Sequence, residues 1–312
     1  MKTLLEPDVS RYNNSIDTVP NEVKNPICLQ PLPKHMNIGQ NPFSTPENLV
    51  QGGRNVIIER LANGLPVFVF GVRSSRTLDV VKIAKGTGHH VLWIDLEHSG
   101  MSTDTAVQIC ASALDVGLVP MIRIPEGDIG PIGPLMDGGA LGIMAPMIET
   151  AEQAIRISTA CRFPPLGGRS QNSMLPLFGF RKLPSKQVNA LCNESAFVAV
   201  TIESERGFAN LEAIAAVPGV DLIICGCNDF SADMGILGEY EDERIYQTLL
   251  KAIKVCNSLK KPIAIAGVGN TPYLQKLISS GAAPFHITGI DAEMLSEIAQ
   301  TRRAALSSHY PT

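Results

Sequence analysis

From about residue 50 onward the chain alternates short, unbroken apolar runs with longer stretches that are apolar only at every third or fourth position. The runs fall at 66–71, 91–95, 119–124, 141–147, 198–202, 222–225, 262–266 and 285–288. They are rich in β-branched residues and lack polar alternation, the pattern of strands buried on both faces of a parallel sheet. The segments 105–116, 150–161, 241–259 and 273–280 lie between them with helical spacing, and Gly117 and Gly281 stand where two of them should end. Eight strand–helix units over roughly 250 residues predict an α/β protein of the (β/α)8, or TIM-barrel, class. An open doubly wound sheet is the alternative, but no Gly-rich dinucleotide fingerprint follows the first strand.

Residues 1–50 break this pattern. Pro7, Pro20, Pro26, Pro31, Pro33, Pro42 and Pro46 interrupt a stretch with little apolar periodicity. Proline removes a backbone donor and turns the preceding residue away from helix. The expected organisation is an extended, Pro-rich arm over 1–50 and a catalytic barrel over 51–312. The arm either lies over its own or a neighbouring barrel or forms a partly disordered tail.

Composition narrows the function without naming it. With 312 residues, 45% hydrophobic and 18% charged, the chain can bury a barrel-sized core. A net charge of −4 argues against nucleic acid as the main partner, because phosphate binding needs a basic face. No apolar stretch reaches the ~20 residues of a membrane helix, and no targeting signal is visible at the N-terminus. Seven cysteines without framework spacing suggest reduced thiols and a cytoplasmic setting.

In a barrel the residues just after each strand build the active site. Here they include Arg73, then Asp95-Leu96-Glu97-His98, Arg123, Glu203, and Gly226-Cys227-Asn228-Asp229. Glu203 and Asp229 end consecutive strands, and two carboxylates facing one cavity repel unless a cation or proton lies between them. No strand end carries a lysine, which excludes Schiff-base chemistry and leaves a metal as the electron sink. Hard oxygen donors without a His or Cys pair at ligand spacing favour Mg²⁺ or Mn²⁺ over Zn²⁺. Such an ion would leave positions for the carboxylate and keto oxygens of a 2-oxo acid. Cys225 and Cys227 stand two apart, but with no further ligand nearby they are expected to be small core residues. His89 and His90 precede their strand and are expected on the opposite rim.

Six segments taken in order carry a resemblance: Ile94-Asp95-Leu96-Glu97-His98, Arg123-Ile124-Pro125, Leu135-Met136-Asp137-Gly138-Gly139, the stretch from Arg162 to Arg169, Ile202-Glu203-Ser204, and the stretch from Asp229 to Gly235. Over about residues 55–300 the chain resembles the HpcH/HpaI aldolase family of metal-dependent class II aldolases, which includes macrophomate synthase. The resemblance implies a (β/α)8 barrel assembled as a homo-oligomer, a trimer or hexamer. It implies Glu203 and Asp229 as metal ligands and Arg123 as the binder of the keto oxygen and enolate. By the same resemblance His98 shuttles protons, Asp137 reaches the histidine of a neighbouring subunit, and Asp95 hydrogen-bonds waters on the metal. The backbone amides from Cys227 through Asn228 to Asp229 would hold the substrate carboxylate.

The departures are local. Thr201 stands where related bacterial aldolases often have Gln, Arg169-Ser170 replaces Arg-Gly, and Gly226-Cys227-Asn228 replaces Gly-Pro-Ala. All surround the expected place of the second substrate, so they leave the acceptor open. Structural readings also compete: Asp229 as a helix cap, Arg123 as the partner of a buried acid, His98 as a surface residue, and Asp137 as the cap of a turn before Gly138-Gly139. The leading expectation is a divalent-metal-dependent carbon–carbon lyase, an aldolase or oxaloacetate decarboxylase, acting on a small 2-oxo acid such as oxaloacetate or pyruvate through a metal-held pyruvate enolate. The alternatives are a macrophomate-synthase-like bond-forming enzyme, an acyl-CoA lyase and, last, a non-enzymatic scaffold.

Overall fold

The computed structural model describes residues 50–51, 54–269 and 271–307. Except for Val50, the arm assigned to residues 1–50 lies outside them. The eight apolar runs become eight parallel strands: β1 (Val67–Val72), β2 (Val91–Asp95), β3 (Val119–Arg123), β4 (Gly142–Ala145), β5 (Phe197–Ile202), β6 (Leu222–Gly226), β7 (Ile263–Ala266) and β8 (Phe285–Ile290). Each pairs with the next from β1 to β7, and β8 returns to pair with β1. The barrel is nearly closed. Between β7 and β8 the Ala283 amide donates to the Ile263 carbonyl at 2.6 Å, and no ladder follows.

Strand alternation divides the core into two layers. Val67, Val69, Trp93, Met121, Met144, Ala199, Leu222 and Ile224 fill the barrel interior. Val72, Leu92, Ile94, Ile122, Val198, Val200, Ile223 and Cys225 pack outward against the helices. Full burial of one such aliphatic side chain stabilises by roughly 1.5–3 kcal/mol. Cys225 and Cys227 are both buried in this outer layer, as expected of small core residues. Their thiols are pushed well above the ordinary range by burial.

Helix boundaries follow from caps. The Thr150 hydroxyl accepts from the Gln153 amide, and the Gln153 side chain returns to the Thr150 backbone. This capping box starts α5 (Ala151–Cys161), which buries Ala154, Ile157, Ser158 and Cys161 on one face. Ser102 caps α3 (Thr103–Asp115), so that helix begins two residues before the apolar periodicity does. The run at 141–147 ends early as a strand, because Met147 adopts a left-handed backbone (φ 50°). At the β1–β8 seam Gly71 is required: a Cβ there would lie 2.9 Å from the Gly289 carbonyl oxygen.

Candidate active site

Asp95 and Arg123 are register partners at the ends of β2 and β3 and so point the same way. Trp93 and Met121, two residues earlier, face the barrel interior, which places the pair inward at the carboxyl rim. Asp95 is fully buried. The Arg123 fork donates from Nε to Oδ1 (3.0 Å) and from Nη2 to Oδ2 (2.6 Å), while Arg73 Nε donates to Oδ2 (2.9 Å). The amides of Glu97 and His98 also donate to Oδ1, at 3.1 and 3.2 Å. Burial alone would raise the Asp95 pKa, but the bonds and charge of Arg123, with His98 N–H and Arg73, hold it below the ordinary carboxylate value. Asp95 is therefore the fixed anion that aims two arginines.

Arg123 Nη1 forms an ion pair with Glu97 Oε2 at 3.1 Å, and the guanidinium lies 4.9 Å from the centroid of the Trp93 ring. Burial pushes the Glu97 pKa up against the pull of Arg123 and His98, with the charges of Asp95 and Asp229 adding to the rise. His98 Nε2 stands 3.7 Å from Glu97 Oε2, with its side chain 55% exposed toward the opening.

Glu203 and Asp229 meet on the same rim. The Glu203 residue is 6% exposed, and Oε1 accepts from the Met147 amide at 3.2 Å, the bond that the left-handed turn at Met147 makes available. Burial raises its pKa to about 8; the Met147 N–H opposes this, while the hydrogen bond and charge of Asp229, and the charge of Glu97, add to it. Gly226 makes room for this carboxylate, since a Cβ there would sit 2.4 Å from Glu203 Oε2. Asp229 stands in the first turn of α9 (Cys227–Asp233) and is exposed.

The donor set fits a hard divalent cation: two carboxylates within hydrogen-bonding reach, one of which keeps its proton when nothing else neutralises the pair. Among the described residues no group of three His, Cys, Asp or Glu is gathered closely enough to hold an ion alone. Water and substrate oxygens would have to complete its shell.

Asp137, the last residue of α4 (Ile132–Asp137), lies apart from this group. It pairs with Arg169 and accepts from Asn172 Nδ2 at 3.1 Å. Arg169 is 6% exposed and stacks 4.5 Å from the Phe163 ring centroid. Among the described residues Asp137 makes no bond to Asp95, His98 or Arg123. It is held by the segment in which Arg169-Ser170 departs from the related pattern.

Three supporting residues were not assigned from the sequence. Arg73, in the sequence only a charge at a strand end, orients Asp95. Trp93 underlies Arg123, a position that period-two counting back from Asp95 along the strand identifies. Asp291, directly after β8, accepts from the amides of Arg73 (3.0 Å), Ser74 (3.1 Å) and Ser75 (2.6 Å). The expected strand end at 288 hid it, because β8 runs on to Ile290 past an irregularity between Ile287 and Gly289.

A parallel barrel with paired acids and a carboxylate-anchored arginine on its carboxyl rim, and no strand-end lysine, defines a class II type of carbon–carbon lyase barrel. The chain belongs to the HpcH/HpaI aldolase/citrate lyase family, whose model matches residues 70–297. It is 35% identical over 257 residues to a 4-hydroxy-4-methyl-2-oxoglutarate aldolase of Hapsidospora irregularis, covering 81% of this chain and 95% of the relative. It is 38% identical over 224 residues to an aldolase of the same name from Chaetomium globosum, covering 71% and 83%. Among solved structures it resembles an HpcH/HpaI aldolase from Desulfitobacterium hafniense DCB-2, with a TM-score of 0.75 at 22% identity over 81% of this chain and 96% of that one. No helix among the described residues is long and apolar enough to cross a membrane.

Proposed function

We propose that the protein is a divalent-metal-dependent aldolase that cleaves 4-hydroxy-2-oxo dicarboxylates to pyruvate and a second 2-oxo acid. The observation that carries this reading is the Glu203–Asp229 pair on the same rim as Arg123. A Mg²⁺ or Mn²⁺ ion held by these two acids would supply positive charge to the keto and carboxylate oxygens of the substrate. Arg123 has two of its five N–H groups committed to Asp95 and its Nη1 in an ion pair with Glu97, and the remaining N–H groups donate to the keto oxygen as negative charge develops there. Amides from Cys227 through Asn228, opening α9, hold the substrate carboxylate.

His98 Nε2 takes the proton of the C4 hydroxyl while the C3–C4 bond breaks. The electron pair of that bond passes to the C2 carbonyl and gives the enolate of pyruvate, and C4 leaves as a ketone. A proton returned to C3 completes pyruvate. With 4-hydroxy-4-methyl-2-oxoglutarate both halves are pyruvate. The names of the two relatives that are 35% and 38% identical support this substrate class. Oxaloacetate reaches the same enolate by losing carbon dioxide, so decarboxylation is expected as a companion activity. Pyruvate release from 4-hydroxy-4-methyl-2-oxoglutarate, followed with a coupled dehydrogenase, should stop on chelation and resume on adding Mg²⁺ or Mn²⁺. Release that chelation leaves untouched refutes the metal.

Assembly as a trimer or hexamer belongs to the same reading. The C-terminal helix α12 (Asp291–Ser307) buries none of its residues within the described chain and exposes Leu295, Ile298 and Leu306. Sedimentation equilibrium is expected to return a trimer or hexamer; a monomer at micromolar concentration would refute it. A cytoplasmic setting is proposed on the same footing, since the six cysteines among the described residues are all buried and unpaired.

A further inference from the structure

The rim holds a second arginine whose fork is only partly used. Arg73 follows β1 directly, beside the end of β2, and spends its Nε on Asp95 Oδ2 at 2.9 Å. Arg123 Nη2 donates to that same oxygen at 2.6 Å, so the two guanidinium groups are neighbours across one buried carboxylate. Their surroundings differ. The Arg123 side chain is 13% exposed and is engaged by both Asp95 and Glu97. The Arg73 side chain is 30% exposed, and its Nη1 and Nη2 meet no acceptor among the described residues. An arginine carries five N–H donors, of which Asp95 takes only the one on Nε.

The segment that carries Arg73 is fixed, because Asp291 accepts from the consecutive amides of Arg73, Ser74 and Ser75. Those amides are thereby closed to any other anion, and the guanidinium is what this loop has to offer. Other arginines on nearby loops are occupied. Arg76 Nη1 folds back on the carbonyls of Arg73 and Ser75, at 2.9 and 3.2 Å. Arg206 pairs with Glu149 at 3.2 Å, and Arg169 lies between Asp137 and the Phe163 ring. Arg73 is left as the cation beside Arg123 with donors to spare.

The substrate class proposed above carries a second carboxylate on C4, the carbon next but one to the keto carbon. In that reading the keto oxygen belongs to Arg123 and the C4 hydroxyl to His98, whose amide donates to the other oxygen of Asp95. Arg73, Arg123 and His98 thus share one anchor, and Arg73 alone of the three has no assigned substrate atom. Glu97, Glu203 and Asp229 make the rest of the rim acidic, so a carboxylate entering there needs a cation to replace its water. We propose that Arg73 is the specificity-determining residue of this site, its Nη1 and Nη2 gripping the C4 carboxylate of a 4-hydroxy-2-oxo dicarboxylate end-on. The two parallel N–H donors match the two carboxylate oxygens. A monocarboxylate analogue is rejected because it leaves the guanidinium without a counter-ion. The assignment rests on the lyase reading for the placement of the substrate.

Cleavage of 4-hydroxy-4-methyl-2-oxoglutarate and of 4-hydroxy-2-oxopentanoate, which has hydrogen in place of the C4 carboxylate, tests it with Mg²⁺ present. The ratio of the two kcat/KM values, dicarboxylate over monocarboxylate, is expected to fall about 10–100-fold in Arg73→Met. Loss of the Asp95 bond slows both substrates alike and cancels in the ratio. An equal loss on both would make Arg73 a positioning residue only and overturn the proposal. Isothermal titration reads the same selection without turnover. The parent should bind 2-oxoglutarate at least about tenfold more tightly than 2-oxopentanoate, and Arg73→Met should bind the two about equally. Arg73→Gln, which keeps a donor for Asp95, serves where Arg73→Met does not fold, and a preference that survives in it overturns the proposal. A parent that cleaves neither substrate yet shows this shift in binding would refute the lyase reading and keep the carboxylate site. A parent that cleaves but does not prefer 2-oxoglutarate would do the reverse.

Discussion

Arg123→Lys is expected to lower kcat/KM for 4-hydroxy-4-methyl-2-oxoglutarate by about 10²–10³, the loss typical when one preorganised oxyanion donor is removed. Lysine keeps the charge but not the geometry. Arg123 places two nitrogens on Asp95 and a third on Glu97, and its flat guanidinium lies over Trp93. An ammonium can meet at most part of this set, and it leaves no donor held at the angle that the keto oxygen needs. The same change strips two bonds from a wholly buried carboxylate. Breaking a buried pair commonly destabilises by about 3–5 kcal/mol; Arg73 still holds Asp95, so the lower end is expected. Steady-state kinetics with a parallel thermal melt read both effects. A variant that keeps kcat/KM within about threefold of the parent would remove Arg123 from the mechanism.

The second large effect is on stability against pH. In the metal-free protein Glu203 has its pKa raised from 4.5 to about 8. Between those values the folded chain holds a proton that the unfolded chain has released. Stability therefore falls as pH rises through this window, with a limiting slope of about 1.4 kcal/mol per pH unit. The metal-free melting temperature should drop by several degrees between pH 5 and 8, at roughly 2–4 °C per kcal/mol. A divalent cation supplies the missing charge, so Mg²⁺ or Mn²⁺ should restore the melt most at the alkaline end. Glu203→Gln removes the ionisation: its melt should be flatter with pH and insensitive to metal, and its turnover should be lost. A metal-free parent that grows more stable from pH 5 to 8 would sink this account.

The barrel was legible because parallel strands covered on both faces must be nearly continuous in apolar residues. All eight runs became strands, and their ends fall within one residue of the observed ones except where local geometry intervened, at Met147 and at the irregularity before Gly289. Glu203, Asp229, Asp95 and Arg123 were legible for a related reason: a charge that ends an apolar run is conspicuous. What stayed hidden was pairing between distant segments. Nothing in periodicity says that Arg169 meets Asp137 or that Asp291 meets the amides after β1. Within the chain Asp137 meets Arg169 and Asn172, a pairing that neither a turn cap nor a contact with a neighbouring subunit predicts.

The amides that Asp291 accepts belong to residues more than two hundred positions earlier, and one of those residues, Arg73, also steadies Asp95. A ribosome that has delivered Arg123, Glu203 and Asp229 has therefore not yet delivered the residue that fastens the first loop of the rim. Catalytic geometry becomes available only once Asp291 has emerged and the longest loop closure in the barrel has been made. A nascent or truncated chain that stops short of residue 291 would carry the reactive groups without their clasp.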